Sequence, residues 1–156
     1  MLVTFRTLVP GFWMGLLVAL AFIETPLKFL APGVTVPLAL GIGRLVLTAA
    51  ELASAVLLIV LTVISLLRPR LGRGGLAIVA GLWATLLAQL ALIRPALNAR
   101  TDTVLAGGDP GDSPLHGIYV ASDVVLLVLL VAYLVCAVRQ GRSATTRREP
   151  SPRDAN

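Results

Sequence analysis

Glu24, Lys28, Arg44, Glu51, Gln89, Arg94 and Asp123 interrupt long runs of Leu, Val, Ile, Ala and Gly. Their side chains are of the types that bind an ion, pass a proton or hold a polar solute. In hydrocarbon each ionised group costs roughly 3 kcal/mol, so such groups turn inward and pair. Glu24 and Lys28 are spaced i,i+4 and share a helix face, unless Pro26 distorts the turn between them. Arg44 and Glu51, at i,i+7, share a face but are too far apart to touch directly. Three carboxylates (Glu24, Glu51, Asp123) stand against three cations (Lys28, Arg44, Arg94). Carboxylates crowded at low dielectric need neutralising by a basic side chain, a proton or a metal ion. The lysine and arginines are the expected partners. They would occupy the space a metal needs, so neither a metal nor a cofactor is expected.

The remaining reactive side chains are few. His116, the single histidine, falls at the rim of an apolar run. It has the chemistry of a proton relay or a metal or haem ligand, and the alternative is an interfacial cap on the helix that follows. Alone it cannot supply two axial imidazoles. A haem-linked redox protein remains a third reading, marked by a Soret band. Cys136 is the single cysteine, so the chain has no internal disulfide or paired thiol motif, and an apolar packing role is expected for it. Met14 is the only internal methionine, which argues against a methionine-lined copper path. Trp13, Trp83 and Tyr133 form no stacking pattern and read as lipid or core packing. No phosphate loop, nucleophile elbow or zincin motif is present, so an enzyme is not expected.

The elements that must carry these groups are membrane spans. The 156 residues are 57% hydrophobic and only 13% charged, too little polar surface for a soluble domain of this size. Four runs reach the ~20 residues that cross a hydrocarbon core: residues 8–30, 36–67, 76–97 and 118–138. Lipid offers the backbone no hydrogen-bond partners, so each run is helical despite its valines and isoleucines. The fold class is therefore all-α, an integral membrane four-helix bundle over residues 1–138. The second run is too long for a simple span. Pro37, Gly41 and Gly43 predict a separate interfacial turn before the true span begins near Arg44, and Pro26 ends or kinks the first helix. Residues 68–75 make a short basic turn, and residues 98–114 a longer acidic loop. Residues 139–156 lack apolar periodicity and read as a disordered basic tail.

At 1.5 Å per residue from the arginine-rich ends, Glu24 and Glu51 lie ~24 Å up, Gln89 ~20 Å and Asp123 ~22 Å. Each helix thus brings one polar group to a common layer, with Lys28, Arg44 and Arg94 just beyond it. Two interpretations follow: a charge-paired network that fixes helix packing, or a polar pocket in the outer half of the bundle for a cation, a proton or a small solute.

Nine of the thirteen Lys and Arg fall on the side of the termini: Arg6, Arg68, Arg70, Arg73, Arg139, Arg142, Arg147, Arg148 and Arg153. The positive-inside rule then predicts cytoplasmic termini for a multi-pass protein of a bacterial-type plasma (inner) membrane. The net charge of +5 belongs to this topology signal and the tail, which would touch anionic lipid; no aromatic platform supports nucleic-acid binding. Arg6 followed by an apolar run and Ala19-Leu20-Ala21 has features of a cleaved signal peptide, but Phe22 and Ile23 continue the run without a polar cleavage region. Two stripes of small residues, Gly11/Gly15/Ala19 and Ala80/Ala84/Ala88, are expected to pack within the bundle, with a homodimer face or a membrane-complex partner as the alternative.

Three short motifs carry a resemblance: Gly43-Arg44-Leu45 opening the second helix, Pro95 with Arg100 after the third, and Leu115-His116-Gly117 opening the fourth. In these and in its four-helix layout the chain resembles a family of four-helix membrane proteins of unknown function, distantly similar to the membrane domain of copper-resistance CopD proteins and to TMEM-type transmembrane proteins linked to drug resistance. The resemblance implies the layout and the outer-half polar cluster, and assigns no substrate. The chain departs from it in lacking the several histidines and methionines of copper handling. Function at this stage lies between ion or solute handling through the polar cluster and a non-catalytic accessory or scaffold subunit of a membrane complex.

Overall fold

The computed structural model describes residues 2–68 and 70–146. Among them are four long helices and no strand. The first helix runs Leu2–Ala19, widens into a π-helical turn at Leu20–Glu24 and continues as Thr25–Leu30. The second is Val36–Leu66. The third repeats the pattern of the first: Arg73–Ala88, a π-helical turn Gln89–Ile93, then Arg94–Leu105. The fourth is Leu115–Thr146. All four are long and apolar enough to cross a membrane. The first and third helices each pack against the second and fourth, so the bundle is a square of antiparallel neighbours. The described chain ends, residues 67–68 and residues 70–72 lie at one end, and residues 31–35 and 106–114 at the other, here called distal.

The distribution of side chains is that of a membrane protein. Phe12, Leu45, Leu52, Leu92 and Val128 are 62–72% exposed, an apolar perimeter that water would drive to aggregate and that hydrocarbon matches. The interior below the polar layer is closed by Trp13, Leu58, Leu61, Leu82, Leu86, Leu126, Leu130 and Tyr133, all essentially inaccessible. Polar groups inside are tied between helices. Trp13 Nε1 donates to Ser54 Oγ at 3.0 Å, Trp83 Nε1 to Thr62 Oγ1 at 3.0 Å, and the Ser65 and Tyr133 hydroxyls share a 2.7 Å bond. The two tryptophans and Tyr133 therefore join helices rather than only filling space. At the terminal end the Arg6 guanidinium bonds the Ile64 and Leu67 carbonyls at 2.8–3.1 Å, satisfying acceptors that a helix C-terminus leaves open.

Several expectations are corrected. The second helix is one continuous rod with no separate interfacial piece: Pro37 sits in its first turn, where a missing N–H costs nothing, and Gly43 is buried against Lys28. Pro26 does not end the first helix. The Thr25 N–H reaches back five residues to the Leu20 carbonyl, and this wider turn accommodates the ring that follows. The third helix passes beyond residue 97 to Leu105, so the acidic loop shrinks to residues 106–114. The helix stops in a Schellman arrangement, with Gly107 at φ 82°, Gly107 N–H on the Val104 carbonyl at 3.0 Å and Gly108 N–H on that of Thr103 at 2.9 Å. Arg100 then holds the loop by bonding the carbonyls of Pro110 and Gly111. The fourth helix continues through Thr146, into the segment read as a disordered tail; residues 147–156 of that segment lie outside the described residues. The small-residue stripes are not interior: Gly11, Gly15, Ala80 and Ala84 are exposed, and a side chain at Gly11 or Gly15 would meet nothing within 4 Å. Trp13 and Leu17 take the inward positions of the first helix instead.

Candidate functional site

The polar layer exists and divides in two. Its centre is Arg94, 6% exposed at the head of the segment that follows the second π turn. Arg94 Nε donates to the Glu51 carboxylate at 2.9 Å. One terminal nitrogen donates to Thr48 Oγ1 at 2.7 Å and to the Arg44 carbonyl at 3.1 Å. Tyr119 Oη stands 3.5 Å from the same carboxylate. Beside this pair, Gln89 Nε2 donates to Asp123 Oδ1 and to Ser122 Oγ, both at 2.8 Å, and Ser122 Oγ donates to the Tyr119 carbonyl at 2.6 Å. Three helices are thereby joined through Glu51, Arg94, Gln89, Tyr119 and Asp123.

The other part belongs to the first helix. Lys28 Nζ lies 3.3 Å from Glu24 Oε2, the i,i+4 pair the spacing predicts, and Thr25 Oγ1 bonds the Leu20 carbonyl at 3.0 Å. No hydrogen bond or ion pair among the described residues links Glu24 and Lys28 to the Glu51–Arg94 centre. Arg44 and Glu51 both reach toward the third helix, as their i,i+7 spacing predicts, and do not bond each other. Arg44 crosses to the third helix, where one terminal nitrogen bonds the Asn98 carbonyl at 2.9 Å and Asp102 Oδ1 at 2.7 Å.

The π turns set this geometry. Each adds one residue to a turn, and counting at 100° per residue across it misplaces every later side chain by about 100°. Depth alone therefore could not assign Arg94 to Glu51. The Arg94 N–H bonds the Gln89 carbonyl five residues back, as Thr25 does to Leu20, and a proline follows immediately in both helices. Thr25-Pro26 and Arg94-Pro95 were the available signal.

A cavity of about 290 Å³ lies on the distal side of the layer. Thr25, Lys28 and Phe29 line it from the first helix, Ala39, Leu40, Gly43, Arg44 and Leu47 from the second, Arg94, Leu97, Asn98 and Thr101 from the third, and His116 and Tyr119 from the fourth. The first- and third-helix walls are built wholly from residues beyond the π turns. The charged groups on the wall are Lys28, Arg44 and Arg94; their carboxylate partners Glu24, Glu51 and Asp102 stand behind it. Gly43 lets Lys28 approach the second helix closely: a Cβ there would come within 2.9 Å of Lys28 Nζ, and the flexible lysine end would have to move aside. Two atoms remain buried with no hydrogen-bond partner among the described residues, Arg44 Nε and Glu24 Oε1.

Of the predicted residues, Glu51, Arg94, Gln89 and Asp123 meet, Glu24 and Lys28 meet separately, and Arg44 joins through its backbone carbonyl. His116 is exposed in the first turn of the fourth helix and lines the cavity. It is not the cap, since Ser113 Oγ accepts from the Leu115 N–H. Asp102, Asn98, Thr48, Tyr119 and Ser122 were missed; the first two fell in a segment read as loop, and the others are ordinary residues of apolar runs. No group of three or more His, Cys, Asp or Glu among the described residues is arranged to hold a metal ion. No family model matches the chain, and no curated protein and no solved structure matches it. The comparisons therefore give no support to the likeness to CopD-like and TMEM-type membrane proteins, which rests on the three short motifs and the four-helix layout.

Proposed function

We propose that this membrane protein handles a small solute, which it binds without transforming and which reaches the cavity from the distal end. The observation that carries this reading is the cavity itself: residues from all four helices line it, a buried charge-paired network frames it, and close apolar packing lies beneath it. A void backed by Leu58, Leu82 and Leu126 has the form of a binding site closed on one side rather than of an open pore. The count of arginines supports a multi-pass protein of a bacterial-type inner membrane with cytoplasmic termini, so that the cavity opens outward.

A second reading, a non-catalytic accessory or scaffold subunit, draws on the pairing of Glu51 with Arg94 and of Arg44 with Asp102, which holds helices together without any ligand. In that reading the outward small-residue stripes are where a second copy or a partner subunit packs. Thermal unfolding in detergent against a panel of small polar and amphipathic solutes separates the two. A solute that raises the midpoint of the wild type, but not of Leu47→Trp, which fills the cavity, supports solute handling. A panel without any such solute supports the scaffold.

A further inference from the structure

Resting on the reading of the cavity as a solute site, we infer that its ligand is a small amphipathic anion, an acidic head on a short apolar body. The charge on the wall has one sign. Lys28, Arg44 and Arg94 line the cavity, whereas Glu24, Glu51 and Asp102 contact these cations from behind and line none of it. A solute therefore meets ammonium and guanidinium groups before any carboxylate, in surroundings where low dielectric strengthens each contact. The Arg44 Nε–H is a buried donor without a partner among the described residues. Its terminal nitrogen holds Asn98 and Asp102, so the guanidinium is anchored to the third helix while Arg44 lines the cavity. Asn98, Thr101, His116 and Tyr119 add polar groups around this head position.

The rest of the wall selects for a body that is not polar. Phe29, Leu40, Leu47 and Leu97 face the same space. At about 290 Å³ the cavity lies at the small end of ligand sites, so a short chain or a single ring fits. A free amphipathic acid and the head of an acidic membrane lipid share this chemistry.

The test is equilibrium binding of hexanesulfonate, hexyltrimethylammonium and hexanol to the full-length protein in phosphatidylcholine nanodiscs, with Leu47→Trp protein as the blank. Hexanesulfonate is expected to bind at least tenfold more tightly than the other two. Arg44→Gln and Lys28→Gln are each expected to bring it to the level of hexanol while leaving hexanol unchanged, which a merely misfolded variant would not do. Including phosphatidylglycerol in the disc identifies the source. Competition with hexanesulfonate assigns the site to a lipid head, and lack of competition assigns it to a free acid; both keep the anion inference. Equal or tighter binding of hexyltrimethylammonium or hexanol overturns it and leaves the cavity a solute site, as does selectivity that survives both substitutions. Binding of none of the three probes overturns the inference and the solute reading together.

Discussion

Arg94 is the side chain on which the polar layer depends. It is buried, it donates to Glu51, Thr48 and the Arg44 carbonyl, and it forms part of the cavity wall. Removing its counter-charge leaves a buried guanidinium uncompensated, which costs roughly 3–5 kcal/mol, whereas replacing both members of such a pair by apolar side chains is often close to neutral. Glu51→Gln is therefore expected to lower stability in chemical unfolding by about that amount, and Glu51→Leu combined with Arg94→Met to recover most of it. A loss for Glu51→Gln below about 1 kcal/mol, the net worth of an ordinary hydrogen bond, would contradict the assignment of this pair as the frame of the site. The neighbouring Asp123 receives its bond from the neutral Gln89, so Asn at that position keeps an acceptor in place. The residue types were legible in the sequence, and so was the Glu24–Lys28 pair, because i,i+4 spacing fixes a common face whatever the rest of the fold does. The Arg44–Asp102 pair was not, because Asp102 is fifty-eight positions away and lies on a helical extension that its polar composition disguised as loop.

At the scale of elements, the apolar runs identified four helices correctly, since hydrocarbon leaves a spanning backbone no other way to satisfy itself. Their ends and their rotation were not legible. Long helices outrun the hydrocarbon: Val36–Leu66, at 31 residues, extends ~46 Å against a core of ~30 Å, so its distal turns read as something separate although they are continuous. The π turns at Leu20–Glu24 and Gln89–Ile93 changed the azimuth of everything after them, and only the prolines two positions later hinted at them. The third helix ends where Gly107 adopts a left-handed conformation, and Arg100 ties the loop back. For an L-residue that conformation costs about 1–2 kcal/mol. Gly107→Ala is expected to lower the stability by that amount, measured by unfolding in detergent, and to raise protease sensitivity in residues 106–114. An unchanged midpoint with an unchanged cleavage pattern would show that the helix does not need this glycine to stop.

The whole molecule is asymmetric along its axis. The end bearing the described termini is packed with Leu, Trp and Tyr side chains, and the distal end is polar and hollow. That asymmetry was visible in the sequence as a layer of charges in one half of each run, because charge in lipid is too costly to be placed without a partner or a purpose. The cavity was not visible: its volume depends on the π turns, on Gly43 beside Lys28 and on helix rotation. The network is the frame, and the cavity is the site that a small solute occupies from the distal end. Equilibrium binding of radiolabelled hexanesulfonate tests this most directly, with wild-type and Leu47→Trp proteins of matched unfolding midpoint measured side by side in phosphatidylcholine nanodiscs. Saturable binding that Leu47→Trp abolishes is the result expected. Binding no greater than to protein-free nanodiscs, or binding that Leu47→Trp leaves unchanged, would contradict it.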